Sequence, residues 1–180
     1  MNGPMLMTPR AAHQAAADVL LDLDPYLIEE FGQRVDRYWP TVRKAVGALF
    51  GEADAERLSI ELVGRAAAGY RDRDPELRRL DRARLLTPTW LQDPRMVGYA
   101  CYTERFAGDL PGVSRKLDYL QDLGVTYLHL MPLLRPRDGD NDGGYAVADY
   151  RSVRPDLGTT EDLRDLATSL RSRGMSLVMD

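Results

Sequence analysis

Cysteine, histidine and surplus positive charge are what this sequence has least of. Its 180 residues include one cysteine and two histidines, and 24 basic side chains against 28 acidic ones leave a formal charge of −4. The lone Cys101 excludes an intrachain disulfide and fits a reducing compartment. It lies in an apolar run, where a small core hydrophobe is the expected role. The two histidines and the cysteine are far apart in sequence, so no metal-ligand spacing is visible. A balance without basic excess argues against nucleic acid as a partner. No apolar run approaches the roughly 18 residues of a membrane span. Residues 1–10 pair one arginine with no long apolar stretch, unlike a secretory leader. A cytoplasmic protein that binds neither nucleic acid nor membrane is expected.

What is present divides into two halves. With 44% apolar and 29% charged residues the chain can build a core. In the first half the apolar period is helical. Ala11, Ala15, Val19 and Leu20 share a face; Asp24-Pro25 then breaks the run and opens a second helix over 26–50. Leu27, Phe31, Val35, Tyr38, Val42, Val46 and Phe50 form its stripe, and Pro40 is expected to kink or divide it. Gly51 ends that helix, and a third follows over 54–70 with Leu58, Ile60, Leu62, Val63 and Ala67. Residues 70–84 alternate in sign and read as a solvated helix with i,i+4 pairs. Thr87-Pro88 to Asp93-Pro94 has no periodicity and reads as a linker. A helical domain over 1–92 and a second domain over 93–180 are the expectation.

In the second half the period changes to strand, helix, strand, helix, strand. Met96 to Tyr102 and Val125 to Met131 are short apolar runs suited to strands buried on both faces. Between them Asp109 caps a helix with Pro111 in its first turn; Val113, Leu117, Leu120 and Leu123 face one side, and Gly124 closes it. Thr159 and Asp162 form a capping-box-like pair before Leu163, Leu166, Ala167 and Leu170, with Gly174 as the stop. Met175 to Met179 is a third strand, ending on Asp180. His129, within the second strand, reads as a core histidine bonded to its neighbours. The βαβαβ order implies a parallel sheet with right-handed crossovers, open or closed. Ligands in such folds bind at the carboxyl ends of the strands. The connection over 132–158 is far longer than the usual ~2–6 residues. It contains Asp142-Gly143-Gly144-Tyr145, where a carboxylate could take sugar hydroxyls, a ring could cover a pyranose face, and two glycines permit close approach. The same string also suits an ordinary turn.

The run from Asp142 to Tyr150, continuing through Pro155-Asp156-Leu157-Gly158-Thr159, resembles the stretch after the second barrel strand of α-amylase-superfamily enzymes (glycoside hydrolase family 13). Val97 to Tyr102, Phe106 to Leu110 and Tyr127 to Leu133 are similar to its amylosucrase branch. The resemblance implies an α/β protein: an N-terminal all-helical module followed by the first β-α-β-α-β portion of a (β/α)8 TIM barrel, truncated after the third strand. It implies an N-terminal fragment of a retaining glucosyltransferase that cleaves sucrose and builds α-1,4-glucan, with sucrose and α-glucan as partners and no cofactor or metal. By position, Asp142 and Tyr145 would bind substrate, and Asp180 would support the active site. The nucleophile and acid/base carboxyls would lie beyond residue 180, so the chain itself is expected to be inactive. The alternatives are another α-glucan- or sucrose-acting member (a hydrolase, isomerase or phosphorylase) or a non-catalytic interaction fragment.

Overall fold

The computed structural model describes residues 9–180, so residues 1–8 of the stretch read above for a leader lie outside it. The chain separates into two compact units that meet between Leu86 and Thr87.

The first unit is helical: α1 (Arg10–Leu20), α2 (Pro25–Phe50), α3 (Glu52–Arg71) and α4 (Pro75–Leu86). Asp24 caps α2, its Oδ1 accepting from the Tyr26 amide at 2.8 Å. Ala12, Ala16 and Leu20 pack with Phe31, Val35 and Trp39, joined by Ala67 and Tyr70. The buried stripe of α1 is therefore one residue away from the expected Ala11 and Ala15. In α2, Trp39 is buried where Tyr38 was expected, and Phe50 is exposed. α2 runs through Pro40 as one helix, contrary to expectation. Pro40 faces solvent between the core residues Val35 and Val46, so packing on either side carries the helix across the missing backbone bond. α4 buries no residue, as its mixed charge suggested. It is tied to α2 through Glu30, whose Oε2 accepts from Arg82 at 2.6 Å and whose Oε1 accepts from Arg34 and, at 3.3 Å, from Tyr70. Burial pushes the Glu30 carboxyl up, but Arg82, Arg34 and Tyr70 together hold it below its ordinary value. No helix among the described residues is long and apolar enough to cross a membrane.

The second unit contains β1 (Gly98–Cys101), α5 (Thr103–Phe106), α6 (Leu110–Arg115), α7 (Leu117–Asp122) and β2 (Tyr127–Leu130). β3 (Leu134–Pro136), β4 (Val147–Val153), α8 (Thr160–Ser172) and β5 (Ser176–Met179) follow. β1, β2 and β5 form a parallel sheet in that order, with Cys101 opposite Leu130 and Leu130 opposite Met179. Sequential strands in sequential order are what βα units with crossovers of one hand produce.

The expected helix over 110–123 is split at Lys116, whose amide donates to the Val113 carbonyl at 2.9 Å in a tighter turn and whose ammonium donates to the Phe106 carbonyl. Asp109 caps α6, and Thr159 with Asp162 forms the anticipated capping box of α8. Leu110, Val113 and Leu120 pack with Leu128, Leu130 and Leu166 in one core. Only one sheet face is buried. Leu128 and Leu130 point into that core, while Tyr127 and His129 keep partial exposure and Val178, in register with His129, is 36% exposed, which corrects the expectation of strands covered on both sides. α6, α7 and α8 supply side chains to the first face.

Candidate functional site

Three strand ends define the site. Beyond Cys101, Tyr102 leaves β1; beyond Met179, Asp180 leaves β5 and its amide donates to the Leu130 carbonyl of β2 at 3.3 Å. The long connection after β2 carries secondary structure of its own. β3 and β4 pair antiparallel, with Arg135 opposite Asp149 and Pro136 opposite Val147. Asp149 accepts from Ser152 Oγ at 2.5 Å and the Arg151 amide at 2.8 Å; with Arg135 near, it lies below its ordinary value. This hairpin holds the Asp142 to Tyr145 segment between its strands and over the strand ends.

Within that segment Asn141 Oδ1 accepts from the amides of Gly143 and Gly144, at 3.1 and 2.9 Å. Both glycines have positive φ, +83° and +98°, which L side chains rarely adopt. A Cβ on Gly144 would stand 3.0 Å from the Pro132 side chain, so the segment lies tightly on the end of β2. Asp142 Oδ1 accepts from the Ala146 amide at 2.7 Å, which fixes the carboxylate over the turn. Among the described residues its other oxygen takes no hydrogen bond. The Tyr145 hydroxyl donates to Asp180 Oδ2 at 3.2 Å, and the side chain remains 48% exposed. Loss of surrounding water, the bond to Asp180 and the negative charges of Asp180 and Asp142 raise the Tyr145 phenol above its ordinary value.

The structure thus brings Tyr145 and Asp180 into contact, with Asp142 three residues from that ring. It also brings in a residue that sequence reading set aside. His129 Nε2 is 3.0 Å from Asp180 Oδ1, and the two side chains keep 28% and 31% of their exposure. His129 is therefore a half-exposed partner of the site, not a core histidine, because strand alternation turns it away from Leu128 and Leu130. An ionised carboxylate only accepts, so Nε2 is the protonated nitrogen. Asn141 was also missed; its place before two glycines was the available signal. Cys101 remains a thiol raised above its usual value by burial, consistent with the inert role expected.

Polar groups gathered at the carboxyl ends of parallel strands define an α/β protein with a ligand face. Residues 64–180 match the model of the alpha-amylase catalytic domain, and the chain belongs to that family. It is similar to an oligo-1,6-glucosidase of Halalkalibacterium halodurans, 40% identical over 73 residues, which cover 41% of this chain and 13% of that protein. It is also similar to the trehalose-6-phosphate hydrolase of Escherichia coli, 38% identical over 100 residues, 52% of this chain and 17% of that protein. Among solved structures, trehalulose synthase MutB from Pseudomonas mesoacidophila MX-45 aligns at a TM-score of 0.42 and 35% identity, over 48% of this chain and 16% of that one. The chain spans less than a fifth of the length of each. The first two are named as a glucosidase and a hydrolase, and the amylosucrase branch expected from the motifs is not what they single out.

Proposed function

We propose that this chain forms the glucosyl-holding wall of a retaining enzyme acting on α-glucosides. Asp142 offers its unoccupied oxygen to adjacent sugar hydroxyls, Tyr145 provides the stacking face, and Asp180 anchors the tyrosine from below. The observation that carries this is the Tyr145 to Asp180 hydrogen bond at the carboxyl ends of β2 and β5, with Asp142 poised over the same turn. Retaining cleavage requires two carboxyl groups about 5–5.5 Å apart across the scissile bond. By the family resemblance those groups belong to later strands of a closed (β/α)8 barrel, so the residues here hold and orient the sugar and take no covalent step. Hydrolysis or isomerisation of a small α-glucoside is favoured, because the relatives at 38–40% identity are glucoside hydrolases. Transfer from sucrose stays as the second reading, carried by the run Tyr127 to Leu133.

The test joins this chain to the remainder of a family catalytic domain and compares isomaltose with sucrose as substrate. Removing the Asp142 charge in Asp142→Asn should lower kcat/KM about 10- to 100-fold on the preferred substrate, as loss of a charged hydrogen bond does. Full activity in that variant would refute the assignment. Turnover of isomaltose, or conversion of sucrose without glucan growth, supports the first reading, and fructose release coupled to growth of an α-glucan from sucrose supports the second.

A further inference from the structure

His129 is one residue from the end of β2, between Leu128 and Leu130, both fully buried. Alternation along the strand therefore puts its ring on the opposite face, where Asp180 of the neighbouring strand arrives. The Asp180 carboxylate is engaged at both oxygens: His129 holds Oδ1 at 3.0 Å and Tyr145 holds Oδ2 at 3.2 Å. Its amide is fixed to the Leu130 carbonyl, so its remaining freedom is rotation of the side chain. Tyr145 directly follows two glycines, is half exposed, and among the described residues its hydroxyl bonds only to Asp180. The tilt of that ring therefore follows the rotamer of Asp180, and His129 is the side chain on β2 that bonds the carboxylate.

We infer that His129 is a positioning residue: by holding Asp180 Oδ1 it presents Oδ2 to the Tyr145 hydroxyl and so fixes the plane of the Tyr145 ring. Its bearing on sugar binding rests on the proposed role of Tyr145 as the stacking face. The effect is geometric, a donor ordering an acceptor that orders an aromatic surface, in the way outer groups orient ligating side chains elsewhere. Any side chain that places an N–H near the same point can substitute in part, and one that only fills space cannot.

The experiment uses the 180-residue chain with ζ-13C tyrosine and two readouts: titration of the Tyr145 phenol, and the Kd for methyl α-D-glucoside. In His129→Leu, which fills the volume without a donor, the phenol should move down toward its ordinary value, as it should in Asp180→Ala. Kd should weaken about fivefold or more, as the stacking ring loses its fixed orientation. His129→Gln should restore the phenol and bring Kd within about twofold of wild type. His129→Leu added to Asp180→Ala should change neither readout further, since the two act in one chain of contacts. A phenol unchanged in His129→Leu, or not restored by His129→Gln, overturns the inference and leaves His129 a packing residue. A wild type that binds no methyl α-D-glucoside defeats the sugar reading alone, and the phenol titration then decides the positioning role. A wild type that binds, with a His129→Leu variant equal to it in both readouts, overturns the positioning role and spares the sugar reading.

Discussion

Gly112 shows how much a single position can demand. A Cβ there would lie 2.1 Å from the Ala107 carbonyl oxygen and 2.9 Å from Asp109 Oδ1. The first is backbone, which cannot swing aside, and the second is the oxygen that caps α6 by accepting from the Gly112 amide at 2.6 Å. Gly112→Ala should therefore destabilise the second unit by about 1–3 kcal/mol, the range of overpacking, read as a lower denaturant midpoint. A midpoint equal to wild type would mean that the Ala107 turn relaxes freely. The requirement for glycine was not legible in the sequence, where Asp109-Leu110-Pro111 announced a helix start and Gly112 looked incidental. At the site the opposite held. That Asp142 and Tyr145 share one turn was readable because a carboxylate and a ring across two glycines form a local pattern, and their role in holding sugar is the proposal. His129 was not, because its partner Asp180 is 51 residues away and only strand pairing brings them together.

Among the elements, α8 was the most legible, since its cap, its apolar spacing and its stop are all local. Thr159 Oγ1 accepts from the Asp162 amide at 3.1 Å, and Asp162 Oδ2 accepts from the Thr159 amide at 2.7 Å. Thr159→Ala should cost about 1 kcal/mol. The Thr159 hydroxyl and then the Thr159 amide hold the Asp162 carboxyl below its ordinary value. A carboxyl depressed in the folded state contributes fully above its unfolded pKa, and that contribution is lost as pH falls through the folded one. The stability gap between wild type and Thr159→Ala should thus be widest near neutrality and narrow below about pH 4. A gap that widens with acid would contradict the box. The β3 and β4 hairpin was illegible for a physical reason: its register shifts on both sides of Arg135, so no period-2 alternation survives in the sequence. α2 misled in the other direction. Pro40 is a strong local breaker, and the packing of Val35, Trp39 and Val46 overrides it.

For the whole molecule, the strand order β1-β2-β5 was deducible from βα alternation, and the burial of its faces was not. A run such as Met175 to Met179 is equally apolar whether both sides are covered or one, and here Val178, in register with His129 on the uncovered side, keeps 36% exposure. That open face and the site at its upper rim belong to one surface, the side of the sheet that would line the interior of a closed barrel. Ligand binding should therefore register at the strand ends and leave the helical unit silent. Titrating methyl α-D-glucoside into the 15N-labelled chain and mapping the amide shifts measures this. A Kd on the order of millimolar, about −4 kcal/mol, is expected. Perturbations are expected at Asp142 to Ala146, Tyr102, His129 and Asp180, with none from Arg10 to Leu86. Perturbations confined to the helical unit, or none at sugar concentrations well above millimolar, would contradict it.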